Sequence, residues 1–147
     1  MLTKVSFKDI ELNFELPSIT KEITQEKITK NAEASLDYNP IHLDPEWCKE
    51  INLLGKGTTI AHGMMTLAFM GQVVTDWIYP REGILKTLEG KFIYPVIPGD
   101  IITSNAKVIE LHPRSNPKES FVVFEVKCTN QDGREVGVGK ATVRFLS

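Results

Sequence analysis

Apolar residues at helical spacing predict a long helix near the middle of the chain. From residue 62 to about residue 79, apolar side chains occupy most sides of this helix. They are Met64, Met65, Leu67, Ala68, Phe69, Met70, Val73, Val74, Trp77 and Ile78. A helix that is apolar on most sides is buried on most sides. In a chain of only 147 residues, we expect a sheet curled around the helix to bury it.

Alternating apolar and polar positions in the second half of the chain predict about four antiparallel strands. The strand segments are residues 88–94, 102–108, 121–127 and 136–145. Between them, Pro98-Gly99 favours a type II turn and Asp132-Gly133 favours a hairpin. In the last segment the apolar phase changes between Val138 and Ala141, which predicts a β-bulge near Gly139.

The first half of the chain predicts short strands followed by a helix. Residues 1–16 alternate between charged and apolar side chains, as one or two short strands do. Thr24 is a candidate N-cap for a helix over residues 24–35. The predicted apolar face of this helix consists of Ile28, Ala32 and Leu36.

Two prolines mark the segment between this helix and the buried one. Pro40 disfavours the helical region at the residue before it, so residues 36–42 are predicted as a loop. Asp44 and Pro45 then have the form of an N-cap and a first helical position, which predicts a short helix through Ile51. The order of elements predicts a single α+β domain over residues 1–147, with a curved antiparallel sheet wrapped around one long helix. The edge strands of such a sheet need cover, and a homodimer that joins edges provides it.

Composition and charge narrow the classes of function. Hydrophobic residues make up 41% of the chain and charged residues 24%, as in soluble globular proteins. The net charge of −2 leaves no basic excess for nucleic acid or an anionic membrane. Cys48 and Cys128 are too few for a disulfide scaffold, and residues 1–16 lack the apolar core of a secretory signal. So few cysteines favour a reducing cytoplasm, and residues 64–79 are too short to span a bilayer.

Three short motifs contain the candidate chemistry. The first is Asp37-Tyr38-Asn39-Pro40-Ile41-His42, directly after the first predicted helix. The second, Ile60-Ala61-His62-Gly63-Met64, precedes the buried helix, and the third, residues 95–100, follows a predicted strand. Asp and His form a suitable acid–base pair, since burial and neighbouring charges can place their pKa values on either side of neutral pH. Gly63 lies at a helix start, where backbone N–H groups are free and the dipole favours negative charge.

These motifs, in this order, resemble the MaoC-like dehydratase family, whose members include R-specific enoyl-CoA hydratases. The resemblance extends from about residue 24 to the end of the chain, and it implies a hotdog fold, usually dimeric. Two positions depart from the family pattern. Leu36 stands where many members have glycine before the catalytic Asp, and Gly71 stands where some hydratases carry serine.

The resemblance also implies roles for the site residues. Asp37 and His42 would be the catalytic dyad that holds a water molecule, and the N–H of Gly63 would stabilise the thioester oxygen. Asn39 would support the site, either by a hydrogen bond to the dyad or by capping the turn. His62 is expected to have a supporting role. The implied reaction is reversible hydration of a 2-enoyl thioester, giving the (R)-3-hydroxyacyl thioester of coenzyme A or of acyl-carrier protein.

Several alternatives stay open at this point. Asp37 and His42 can form a merely structural pair, and with His62 they can form a two-His-one-carboxylate iron site. We expect no metal and no redox cofactor, because the thioester itself acidifies the α-carbon. A thioesterase on the same fold is the main alternative enzyme. A subunit of a hetero-oligomeric dehydratase is the other alternative, with a partner chain completing the acyl pocket.

Overall fold

Five antiparallel strands form one sheet against a single long helix. The computed structural model describes residues 6–79 and 83–146. The strands are β1 (Ile19–Glu22), β2 (Gly83–Phe92), β3 (Ile101–His112), β4 (Phe121–Thr129) and β5 (Glu135–Phe145), in the order β1-β3-β4-β5-β2. The helices are α1 (Gln25–Ser35), α2 (Pro40–Leu43), α3 (Pro45–Ile51) and α4 (Gly63–Ile78). This is the layout expected of a hotdog fold. Strand β1 is additional to the four strands predicted in the second half of the chain.

The core lies between α4 and the concave face of the sheet. Helix α4 contacts β2, β3, β4 and β5, and its Met70 and Val74 are fully buried. The Trp77 ring packs edge-on against Phe124 and Phe145, with centroid distances of 6.0 and 6.3 Å. The opposite side of α4 is open, since Met64 is 64% exposed. The expected burial on most sides is therefore confirmed only for the half of the helix that faces the sheet.

The predicted β-bulge near Gly139 is wrong. The ladder between β2 and β5 runs through Gly139 without a register shift, and its shift lies between Leu85 and Thr87 instead. Gly137 and Gly139 both approach α4, and a Cβ on Gly139 would lie 2.7 Å from Met70 Cε. The apolar pattern changes phase because glycines occupy the positions at which the strand passes closest to the helix.

The first half of the chain agrees with the predicted helices but not with the predicted strands. Residues 6–16 contain a 3₁₀ turn and a single bridge between Glu15 and Lys107, and residues 1–5 lie outside the described part. Thr24 caps α1 as predicted, accepting a hydrogen bond from the backbone N–H of Lys27. Leu36 does not belong to the buried face of α1. It ends the helix with φ at 60° and is 75% exposed.

The two turns predicted from glycine-containing pairs are confirmed. Gly99 has φ of 97°, and the N–H of Asp100 donates to the carbonyl oxygen of Ile97 at 3.1 Å. Gly133, with φ of 73°, lies in the hairpin between β4 and β5. Within residues 6–79 and 83–146, no helix is long and apolar enough to cross a membrane.

Candidate active site

The first motif folds into a capped turn that presents Asp37 and His42 to the same space. The side chain of Asn39 accepts a hydrogen bond from the Ile41 N–H at 3.2 Å and caps α2. Asn39 was predicted either to bond to the dyad or to cap the turn, and this hydrogen bond is the cap. The loop predicted over residues 36–42 is therefore wrong from Pro40 onward, because proline fits the first position of a helix, where its missing N–H is not needed.

The carboxylate of Asp37 and the imidazole of His42 are close but not directly bonded. Asp37 Oδ2 lies 3.8 Å from His42 Nε2, beyond hydrogen-bond length. His42 Nδ1 lies 2.6 Å from the carbonyl oxygen of Ile60. Because a carbonyl only accepts, Nδ1 carries the proton in the neutral ring, and Nε2 is left with a lone pair toward Asp37. The His42 side chain is 13% exposed and that of Asp37 is 53% exposed.

His62 lies beneath this pair and contacts both members. Its Nε2 donates to the backbone carbonyl oxygen of Asp37 at 3.1 Å, and its ring stacks on His42 with a centroid distance of 3.7 Å. The His62 side chain is buried, and its Nδ1 has no hydrogen-bond partner in the described part of the chain. One ligand atom each from Asp37, His42 and His62 lies within 4.8 Å of the others, so the trio could also hold a metal ion.

Gly63 starts α4 at the wall of an apolar cavity of about 330 Å³. His42, Thr66 and Phe92 also line this cavity, whereas Asp37 does not. Among the described residues, the amide of Gly63 donates to no protein acceptor. A Cβ at this position would lie 2.8 Å from the Phe92 ring. The cavity therefore has a free N–H in its wall, and the absence of a Cβ at Gly63 lets the Phe92 ring pack closely against this backbone.

A hydrogen-bonded link that the sequence did not indicate holds the turn that contains His42. The side-chain amide of Gln25 donates to the carbonyl oxygen of His42 at 2.9 Å, and its oxygen accepts from the Thr59 hydroxyl at 2.5 Å. Gln25 is the first residue of α1, so this link joins three chain segments. Neither Gln25 nor Thr59 belongs to a recognisable motif, and no signal in a single sequence would have singled them out.

Two cations at the far side of the cavity were also missed. Lys56 donates to the hydroxyl of Tyr94, a cavity-lining residue, and Arg134 lies over the same ring. The hydrogen bond from Lys56, with the charges of both cations, holds the pKa of Tyr94 below its usual range. The mouth of the cavity therefore has a positive field on this side.

Comparisons with known proteins agree with the fold and identify the family. Residues 15–132 match the model of the MaoC like domain. The (R)-specific enoyl-CoA hydratase of Rhodospirillum rubrum is 31% identical over 93% of this chain and 89% of its own length. The 3-hydroxybutyryl-CoA dehydratase of Methylorubrum extorquens is 29% identical over 94% and 82% of the two chains.

Among solved structures, the (R)-hydratase from A. caviae involved in PHA biosynthesis superposes with a TM-score of 0.81. It is 22% identical, and the match covers 94% of this chain and 98% of that one. At this identity the likeness concerns the fold. Taken with the family match and the relatives, it places the chain in the MaoC-like dehydratase family, as a hydratase or dehydratase of acyl thioesters.

Proposed function

We propose that this enzyme adds water reversibly to a 2-enoyl thioester, giving the (R)-3-hydroxyacyl thioester, and that Asp37 and His42 activate the water. The observation that supports this most is the 3.8 Å separation between Asp37 Oδ2 and His42 Nε2. A pair of acceptors at this distance favours one water molecule bonded to both. The names of the relatives from R. rubrum and M. extorquens support the same reaction class.

In the proposed step, the water oxygen attacks the β-carbon of the enoyl group while one member of the dyad takes its proton. The α-carbon receives a proton from the dyad, so that water adds across the double bond without any change of oxidation state. Charge develops on the thioester oxygen, and the free N–H of Gly63 is the donor that we assign to it. Such donors commonly contribute a hundredfold or more to the rate, about 2.7–4 kcal/mol.

The substrate we propose is a thioester of coenzyme A or of acyl-carrier protein. The apolar wall of the cavity suits an acyl chain, and its volume of about 330 Å³ accommodates a short one. No metal or redox cofactor is part of this proposal, because the thioester already acidifies the α-carbon. A chelator should therefore leave turnover unchanged, and clear inhibition would favour a metal held by the Asp37, His42 and His62 trio.

We also propose that the enzyme works as a homodimer. Strand β2 is an edge strand with ten residues, most of them exposed, and exposed Phe92 and Ile93 lie at its end beside the cavity. A long unpaired edge is a template for pairing with another chain. A second copy joined at β2 would cover this edge and close the open side of the cavity.

Hydration of crotonyl-CoA by the purified protein tests the proposed reaction. Loss of the enoyl absorbance, abolished in Asp37→Asn, is the expected result, and an R-specific 3-hydroxyacyl-CoA dehydrogenase would consume the product. Release of free thiol without loss of the double bond would instead indicate a thioesterase. If neither the enoyl absorbance falls nor free thiol appears, the result favours the remaining alternative, a subunit that needs a different partner chain.

A further inference from the structure

Two cations share one aromatic ring where the catalytic cavity meets a second cavity. Lys56 Nζ and Arg134 Cζ each lie 4.1 Å from the centroid of the Tyr94 ring. Tyr94 lines the catalytic cavity, together with His42 and Gly63. It also lines a neighbouring cavity of about 410 Å³, whose wall contains Lys56 and Arg134. A ligand that occupied both spaces would therefore pass along Tyr94.

In the part of the chain that the structure describes, these two cations form no ion pair with a carboxylate. Within residues 6–79 and 83–146, neither Lys56 nor Arg134 has a carboxylate oxygen within 4.0 Å. Two acidic residues do line the second cavity. Asp100 is buried and accepts hydrogen bonds from the Ile97 N–H and the Gln131 amide, and Asp132 is exposed.

Two like charges held on one ring repel each other, and a bound anion would relieve this repulsion. The hydrogen bond from Lys56, with the charges of both cations, also lowers the pKa of the Tyr94 hydroxyl. Phosphate is one of the anions that Arg and Lys bind well, Arg through its planar fork and Lys as a point charge. Every thioester carrier that fits the proposed reaction carries a phosphate ester at the end of a pantetheine arm.

We infer that Lys56 and Arg134 bind a phosphate ester of the acyl carrier, with the pantetheine arm running along Tyr94 to the thioester site at His42 and Gly63. This inference rests on the proposed function, because it takes the thioester carrier as the ligand. Phosphate of the phosphopantetheine arm is common to coenzyme A and carrier protein, whereas the nucleotide phosphates belong to coenzyme A alone.

Three substrates that share the crotonyl-pantetheine arm, and differ in the phosphate or nucleotide at its end, test this site. They are crotonyl-CoA, crotonyl-phosphopantetheine and crotonyl-pantetheine. Lys56→Gln and Arg134→Gln should each raise the KM for crotonyl-CoA about tenfold, as loss of one charged contact to phosphate does, with little effect on kcat. With crotonyl-pantetheine, the ratio of variant to wild-type KM should fall to near one. Lys118→Gln removes one exposed charge elsewhere and serves as the matched control.

The pattern of KM values separates the possible outcomes. An equal rise for crotonyl-CoA and crotonyl-phosphopantetheine assigns the site to the phosphate of the arm, which carrier proteins share. A rise for crotonyl-CoA alone assigns it to the nucleotide phosphates. No rise with either, or the same rise with crotonyl-pantetheine, overturns the inference.

Calorimetric binding of coenzyme A separates this inference from the proposed reaction, because it needs no turnover. If the protein hydrates no enoyl thioester but both variants weaken coenzyme A binding about tenfold, the anion site stands and the proposed reaction fails. If hydration is observed and neither the KM for crotonyl-CoA nor the Kd for coenzyme A changes in the variants, the proposed reaction stands and the anion site fails. Thermal melting of each variant confirms that the fold is retained.

Discussion

The His42 ring is held in a single orientation by contacts on two sides. The carbonyl oxygen of Ile60 fixes Nδ1 as the donor, and the stacked ring of His62 supports one face. His62 also binds the backbone carbonyl of Asp37, so the same buried ring positions both members of the dyad. A side chain fixed by packing and hydrogen bonds keeps its geometry through the reaction, which is a condition for efficient acid–base chemistry.

Gly63 is the residue at which packing and activity can be separated. Gly63→Ala would place a methyl group 2.8 Å from the Phe92 ring, on the surface where the thioester oxygen is expected. We predict a fall of about a hundredfold in kcat, with a loss in the free energy of unfolding of no more than about 1–3 kcal/mol. Steady-state kinetics and urea denaturation of the same preparation measure both quantities.

Gly71→Ala is the matched control for this change. It adds the same methyl group to the same helix, where the Cβ would meet only the Leu88 side chain, at 3.2 Å. The control should keep its activity. If Gly63→Ala lost no more activity than Gly71→Ala, Gly63 would be a packing residue and not part of the oxyanion site.

At the residue scale, the sequence predicted that Asp37 and His42 lie close together, but not the contacts that hold them. Asp37 and His42 are brought together as the first motif indicated, because the turn between them is local and is capped by Asn39. The contacts of Gln25 could not be predicted in this way. They join residues that are 17 and 34 positions apart, and only the tertiary fold brings such residues together.

At the scale of elements, the side chain of Gln25 links the start of α1 to the turn that contains His42. Gln25→Glu keeps the oxygen that accepts from Thr59 but replaces the N–H donor to the His42 carbonyl with a second carboxylate oxygen. Because this loosens the turn, we predict a fall in kcat of about tenfold or more, with little change in KM or in melting temperature. Glu33→Gln, exposed on the same helix, is the control. Equal kinetics for the two variants would show that the link has no positioning role.

The contact between β5 and β2 depends on Gly139. A Cβ there would overlap the backbone carbonyl of Glu89, which cannot move as a side chain can. Gly139→Ala should therefore lower the free energy of unfolding by about 3 kcal/mol or more, measured by urea denaturation.

Gly133→Ala provides the comparison for this variant. Gly133 has φ of 73° and open space around it, so its replacement costs only backbone strain, about 1–2 kcal/mol. A loss at Gly139 no greater than the loss at Gly133 would contradict the close approach of the two strands.

The elements with strong periodicity or a clear N-cap were predicted, whereas the strands expected in the first 16 residues were not found. Helix α4 and strands β2 to β5 follow from their patterns, since each is long and packs one face on a common core. The first 16 residues have the alternation of strands, yet residues 6–16 form no strand and join β3 through one bridge and three backbone hydrogen bonds. The phase change in β5 was misinterpreted because two different features interrupt the apolar alternation in the same way. One is a β-bulge, and the other is a glycine that faces a helix.

At the scale of the whole molecule, the exposed edge of β2 predicts association of two copies. Sedimentation should give about twice the chain mass of 16.5 kDa. Ile84→Lys, which puts a charge on β2 at a position 38% exposed, should weaken the dimer. Ile101→Lys changes an exposed residue on β3 and should leave the dimer intact. A monomer in the wild type, or equal effects of the two changes, would contradict pairing through β2.

The central claim is that Asp37 and His42 act together on one water molecule, and a double-mutant comparison of kcat for crotonyl-CoA hydration tests it most directly. Asp37→Asn and His42→Ala should each lower kcat by about a hundredfold or more, with circular dichroism unchanged. Since both act in the same step, the double variant should be no slower than the slower single variant. Losses that multiply in the double variant, or a single variant with near wild-type kcat, would contradict the shared-water dyad.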